Sequence, residues 1–395
     1  MTLDADAIAW LRTSEGASAA QEAATALAAG TSLLKVIDTL RRTLPSENAR
    51  WAVTLAEGRA SARAKFEDAD RLFFDREAAE QATSEAVGRH TAARFAGVTR
   101  IADLGCGAGA DALALAEHAP VLAVDLDAGR AAMASANGAA RGLPIETQVA
   151  DVRDVDRDGA GVDAAWVDPA RRDSSGRVLD PERWSPPLSE AIRIARGVPR
   201  AGIKVAPGIN LALVPSDAEV EFISLGGRLV EAVIWLGAAV TAPRRATVLP
   251  EGVTLGGTPD TGATPLREPG RYLYDLDPSV GRAGLVDVLA PTLDAWLLAS
   301  GVGYLSGDDA HDTPFARRFR IVEWFPFAER RLLEACRAAG AARVEVMRRA
   351  SPIETNDLEG RLNRDLPGGS GRVMTIALTH VGDDHVAILC ERAAR

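Results

Sequence analysis

The chain holds 395 residues, more than one ordinary domain, so two or three units are expected. With 47% hydrophobic and 25% charged residues the composition is that of a globular protein, and a net charge of −10 excludes the all-over basic surface of a protein that coats nucleic acid. No apolar run approaches the roughly 20 residues of a membrane span, and the acidic start MTLDADAIAWLR lacks a signal peptide's basic region, so a cytoplasmic location without a membrane partner is expected.

Only Cys106, Cys336 and Cys390 occur, with no C-x-x-C pair, which supports neither a disulfide framework nor a structural zinc site. His311, His380 and His385 lack metal-ligand spacing, and no metal is expected. Lysine stands only at positions 35, 65 and 204 among 45 basic residues, a bias that fits the composition of a genome better than selection of each arginine.

From Asp4 to Phe66 the chain is rich in Ala, Leu, Glu and Arg, with breaks at Gly30-Thr31-Ser32 and Pro45-Ser46. Apolar positions in SLLKVIDTLRRTL recur at helical spacing, which predicts about four amphipathic helices acting as a cap on the next domain or as a substrate-facing lid. Arg71 to Phe95 follows, with Asp75 placed to cap one long helix that leads into the first strand.

Ile101 to Asp127 reads as strand, glycine-rich turn, helix from about Asp111, and a second strand ending at Asp125. Gly105, Gly107 and Gly109 remove Cβ atoms where the backbone must turn sharply, and the helix after the turn aims its free N–H groups at whatever sits there. Gly105, Gly107 and Ala110 also satisfy the loose dinucleotide pattern, so the glycines alone leave a nicotinamide cofactor open. Asp103 tips the balance: a carboxylate beside the turn repels a pyrophosphate but pairs with an ammonium and tolerates a sulfonium. S-adenosylmethionine (AdoMet) carries both cations and no phosphate.

Asp103-Leu104-Gly105-Cys106-Gly107-Ala108-Gly109 resembles the first motif of the class I AdoMet-dependent methyltransferases. That resemblance implies an α/β fold with a seven-stranded Rossmann-like methyltransferase sheet and AdoMet as cofactor. Asp103, Gly105, Gly107 and Gly109 would hold the methionine end, and Asp125 with its neighbour Leu126 the ribose. Gln81 and Thr83, in Glu80-Gln81-Ala82-Thr83, stand where related enzymes keep polar groups near the methionine end. Asp151, closing the strand IETQVAD, would accept the adenine amino group, with Val152 beside it.

The next strand, Val162 to Val167, ends in Asp168-Pro169-Ala170-Arg171-Arg172, at the ligand side of an open α/β sheet. This stretch resembles the D/N-P-P-aromatic motif of amino-methylating enzymes and, more closely, the DPPR motif of some RNA methyltransferases. By that resemblance Asp168 and the Pro169 carbonyl orient an acceptor nitrogen, and Arg171 or Arg172 holds a phosphate or a base. Ala170 and Arg171 depart from the pattern, replacing aromatic stacking by guanidinium stacking at best. The C5-uridine enzymes that share DPPR need a cysteine in the stretch matching Gly202 to Leu213, which has none, so covalent C5 chemistry is not expected.

Strands at 203–206, 219–224 and 229–236 would complete the sheet, with a hairpin at Gly226-Gly227. After YLYDLDP a helix is expected through Trp296, and from Arg317 the pattern is strand, helix, strand, helix and two strands. This arrangement resembles the THUMP-like, ferredoxin-type α+β domain of a bacterial group of class I methyltransferases that shares the EQAT and DPARR stretches. The expected layout is a helical module at 1–69, a methyltransferase domain at 70–250, a connecting segment at 251–312 and the THUMP-like domain at 313–395. Between Pro314 and Gly382 twelve Arg face eight Asp plus Glu, so that this domain could dock RNA.

The expected function is AdoMet-dependent methyl transfer to a nitrogen or oxygen of structured RNA such as tRNA or rRNA. A small-molecule or protein methyltransferase is one alternative, and a non-catalytic AdoMet- or RNA-binding module another.

Overall fold

The computed structural model describes residues 2–157, 159–173 and 176–392, with Arg172, Asp173 and Arg177 described by their backbone alone. The chain divides into two compact units, one of residues 1–219 with 231–241 and the other of residues 220–230 with 242–395. No helix among the described residues is long and apolar enough to cross a membrane.

The first unit opens with α1 (Ala5–Leu11), α2 (Ser14–Ala28), α3 (Leu33–Leu40) and α4 (Ser46–Ala62). Asp4 and Thr13 cap α1 and α2 by accepting the backbone N–H groups of Ala7 and Gly16. Leu3, Ile8 and Leu11 share a buried cluster with Met133, Ala136 and Leu113. The helical segment is therefore seated on the domain that follows it.

The long helix expected from Asp75 is broken. Asp75 does cap α5 (Arg76–Gln81), but the chain turns at Ala82 and restarts as α6 (Glu85–Ala92). The Lys65 ammonium lies 2.6 Å from the Glu80 carbonyl oxygen and 2.7 Å from that of Ala82, satisfying acceptors that a continuing helix would have used. The break turns Thr83 inward.

Next come β1 (Ile101–Leu104), α7 (Ala110–Leu115), β2 (Val121–Asp125), α8 (Ala128–Arg141), β3 (Ile145–Val149) and β4 (Ala164–Val167). Every residue of β1 and β4 is buried, as expected of central parallel strands covered on both faces. The short pair β5 (Arg172–Asp173) and β6 (Gly176–Arg177) precedes α9 (Leu188–Ala195), β7 (Arg200–Val205), β8 (Glu219–Leu225), β9 (Arg228–Gly237), β10 (Arg244–Leu249) and β11 (Val253–Gly257). The sheet order is β11-β10-β8-β9-β7-β4-β1-β2-β3, nine strands where seven were expected. Strand β10 adds a parallel partner to β8, and β11 pairs antiparallel with β10. From β1 the chain winds outward to β2 and β3 and then returns to β4 on the other side, which opens a crevice at the carboxyl ends of β1 and β4.

The second unit also holds β12 (Tyr272–Leu276), α10 (Pro278–Ala283), α11 (Val286–Leu289), β13 (Ala295–Leu297) and β14 (Tyr304–Gly307). The expected helix through Trp296 stops early: Gly284, in the left-handed region at φ 65°, closes α10, and Trp296 lies in β13. Then follow β15 (Ala316–Pro326), α12 (Glu329–Ala338), β16 (Arg343–Arg348), α13 (Thr355–Arg364), β17 (Val373–Val381) and β18 (Asp384–Arg392). These four strands join the three before them in a seven-stranded sheet, β13-β14-β12-β15-β18-β17-β16. The α+β class is as expected, but the connection runs βαβαββ with β16 parallel to β17, rather than the βαββαβ of a ferredoxin-type fold.

Candidate active site

A cavity of about 670 Å³ opens at the carboxyl ends of β1, β2 and β4, lined entirely by residues of the first unit. The turn after β1 forms its floor. Gly105 has φ +91°, and a Cβ there would stand 2.4 Å from the Asp168 carbonyl oxygen, so only glycine lets the two strand ends meet this closely. The Asp168 N–H donates to the Leu104 carbonyl at 2.9 Å, fixing the same junction.

Eleven of the thirteen expected site residues line the cavity: Gln81, Thr83, Gly105, Gly107, Asp125, Leu126, Asp151, Val152, Asp168, Pro169 and Arg171. The Arg172 side chain, named as an alternative to Arg171, lies outside the described part of the chain. Gly109 does not reach the wall. It caps α7 at φ +83°, and a Cβ would meet Ala134 of α8 at 2.9 Å, so it serves close helix packing.

Asp103 also departs from expectation. It lies inside β1 rather than in the cavity wall, fully buried, with neither carboxylate oxygen hydrogen-bonded among the described residues. Burial, together with repulsion from Asp111 and Asp168, pushes its carboxyl well above the usual range. A buried carboxylate left in this state calls for a proton or a nearby cation.

The other carboxylates are engaged. Asp125 accepts the Gly107 N–H at 2.8 Å and the Asp127 N–H at 2.9 Å, which ties the glycine turn to the end of β2. Asp151 accepts from the backbone N–H and the guanidinium of Arg153, and those bonds lower its carboxyl to about 2. Gln81 donates to Glu77 at 3.0 Å.

Sequence reasoning missed the group that joins these walls. Lys204, near the end of β7, is only 7% exposed; its ammonium stands 2.7 Å from Thr83 Oγ1, 3.1 Å from Asp111 Oδ2 and 2.9 Å from Asp168 Oδ2. Thr83 in turn donates to Asp111 at 2.9 Å. Glu231 of β9 lies 3.9 Å from the same ammonium, and burial, opposed by Lys204, pushes its carboxyl up to about 8. Burial alone would lower the Lys204 pKa, but Asp111, Asp168 and Glu231 reverse this and raise it. The one available signal was the rarity of lysine in this chain.

Asn137 of α8 was missed as well. Its amide donates to the carbonyls of Ala108 at 2.8 Å and Phe73 at 3.1 Å, holding the glycine turn from behind. Cys106 sits in the wall, but burial and the nearby Asp103 push its thiol well above the usual range, so it offers no nucleophile.

Seven carboxylates (Glu77, Glu80, Asp111, Asp125, Asp127, Asp151, Asp168) face three cations (Arg130, Arg171, Lys204) around the cavity. Such a wall repels a pyrophosphate and suits a cofactor that brings positive charge and no phosphate. The orphaned Asp103 carboxylate beneath the turn points the same way. A β1-glycine turn-helix unit at the crevice of this sheet, with an acidic wall, defines a class I AdoMet-dependent methyltransferase.

Comparison with known proteins agrees. The family described as "Methyltransferase domain" matches residues 101–175, and that described as "THUMP domain-like" matches residues 316–392. An uncharacterized S-adenosylmethionine-dependent methyltransferase of Mycobacterium tuberculosis, recorded from two strains, is 35% identical over 321 residues, covering 79% of this chain and 85% of that protein. The crystal structure of a putative methyltransferase from Porphyromonas gingivalis shares the fold, with a TM-score of 0.73 at 20% identity over 89% of this chain and 92% of that one. The chain belongs to the AdoMet-dependent methyltransferases that carry a C-terminal THUMP-like domain.

Proposed function

We propose that this enzyme methylates a nitrogen or oxygen of structured RNA, such as tRNA or rRNA, with Asp168 orienting the acceptor. The observation that carries the reading is the junction of Gly105 and Asp168, which puts the end of β4 against the glycine turn in one cavity. AdoMet supplies an electrophilic methyl group on its sulfonium. Gly105, Gly107 and Thr83 line the methionine end in this proposal, with Asp103 behind the turn answering positive charge. Asp125 and Leu126 take the ribose, Asp151 and Val152 the adenine, and Gln81 flanks the pocket.

Asp168 keeps a quarter of its side chain exposed beside Pro169, so its carboxylate and the proline carbonyl can accept hydrogens from an incoming N–H or O–H and aim its lone pair. The same carboxylate stabilises positive charge that develops on the acceptor. Arg171, on the same loop, would hold a phosphate. RNA as acceptor is supported by the THUMP-like match. Three free, buried cysteines fit the reducing cytoplasm.

A small-molecule acceptor is favoured by one feature. Over residues 316–392 thirteen Arg meet eleven Asp plus Glu, and many of these arginines are already paired, including Arg317 and Arg349 with Asp275 and Arg361 with Glu329. Mass spectrometry of digested RNA from a strain lacking the protein, beside its parent, decides. One missing methylated nucleoside is expected, and identical nucleoside profiles would overturn the RNA reading.

A further inference from the structure

We infer that Lys204 is the positioning residue of this site: by clamping one oxygen of Asp168 it keeps that carboxylate ionised and turned toward the acceptor. The inference rests on the proposed role of Asp168 but concerns a residue that the reading does not require. Three features of the ammonium carry it. Its contacts to Thr83, Asp111 and Asp168 match the three donors of a lysine, so its rotation is fixed. Those partners lie on three further elements, the α5–α6 turn, α7 and the end of β4, so a single cation bridges three parts of the cavity wall. Finally, arginine fills all but three of the 45 basic positions, yet a compact ammonium stands at this one. A planar guanidinium is pre-shaped for forked contact with one carboxylate, whereas a point charge can serve three partners that converge.

The charges around Asp168 explain why a clamp is needed. Asp103 of β1, Asp111 of α7 and Glu231 of β9 all face it, against Lys204 and Arg171, with Lys65 farther off toward Lys204. Burial, with a push from Asp111, leaves the Asp168 carboxyl above its usual range, and Lys204, with Arg171 behind it, limits that rise. Without Lys204, Asp168 takes up a proton, which turns one of its two acceptor oxygens into an O–H donor and removes the charge that would hold an incoming N–H. Arrival of the cationic cofactor then drives that proton off.

The test needs no acceptor. AdoMet is titrated calorimetrically into the full-length, cofactor-free protein at pH 7, in buffers of different ionisation enthalpy, to count protons released on binding. If Lys204 keeps Asp168 ionised, Asp168→Asn should change the count by much less than one proton, the residual change coming from Asp103 and Glu231, which lose a neighbouring charge. Lys204→Met should release about one proton more than the wild type, and the excess should vanish in Lys204→Met/Asp168→Asn. A wild-type count in Lys204→Met, or a count lowered by about one proton in Asp168→Asn alone, overturns the inference; the second comparison stands even if Lys204→Met fails to fold. Whether Asp168 orients an acceptor is read separately, from methyl transfer by the Asp168→Asn enzyme, so each idea can fail alone.

Discussion

The cavity of the first unit and the surface of the second handle charge in opposite ways. At the cavity, charged groups are buried, unequal in number and convergent: one lysine faces Asp111, Asp168 and Glu231, with Asp103 unpaired beside them. In the second, arginines and carboxylates are nearly equal in number and meet as pairs, many of them half-exposed, such as Arg361 with Glu329. Surface pairs of that kind contribute little to stability and offer no fixed geometry to a ligand. Buried imbalance, by contrast, is costly in the empty site and is relieved when a cation or proton arrives. Where the charge is left unbalanced is therefore a better guide to the site than where it is abundant.

The largest effect should come from the junction of the two strand ends. Gly105→Ala forces a Cβ into the Asp168 carbonyl at a left-handed φ, and should lower stability by about 2–4 kcal/mol. It should also weaken AdoMet binding about 100-fold or more in a calorimetric titration. Wild-type affinity in this variant would mean that the turn tolerates far more movement than its packing allows.

An intermediate effect is expected at Glu231, with a definite sign. Its folded carboxyl is raised to about 8, so the stability carried by its neutral form is complete below the ordinary glutamate range, near pH 4, and is lost as pH rises through about 8. Glu231→Gln has no such loss. In thermal melts of cofactor-free protein the variant should match the wild type near pH 5 and exceed it by about 2–4 °C at pH 9. A difference that shrinks with rising pH contradicts the electrostatics described for the cluster.

The smallest effect belongs to the second unit. Arg361→Ala removes a half-exposed pair and should shift the melting temperature by a few degrees at most. A much larger loss would mark that pair as part of a surface whose geometry matters, and would reopen the contrast between the units.

Much of the fold was legible because its signals are local. The apolar strands at 101–104 and 121–125, the glycine turn and the Asp75 cap each depend on a few consecutive residues. Legibility failed where partners distant in sequence decide the outcome. Lys65 ends α5 through carbonyls fifteen and seventeen residues away, so the broken helix left no mark in its own stretch. Strand β11, VTLGG, is too rich in glycine to read as a strand, and only pairing with β10 makes it one. At the site, Asp103 read as a cavity residue from its place in the motif, yet the pleat turns it into the sheet's interior. Lys204 read as part of an ordinary strand because its three partners lie 36, 93 and 121 residues away.

Acceptor positioning turns on Asp168, and two measurements on Asp168→Ala test it together: AdoMet affinity by calorimetry, and transfer of label from methyl-tritiated AdoMet to RNA taken from a strain that lacks the enzyme. Affinity within about threefold of wild type, with transfer reduced 100-fold or more, is the expected pair of results. Transfer at the wild-type rate by the variant would contradict it, and would move the acceptor to another wall of the cavity.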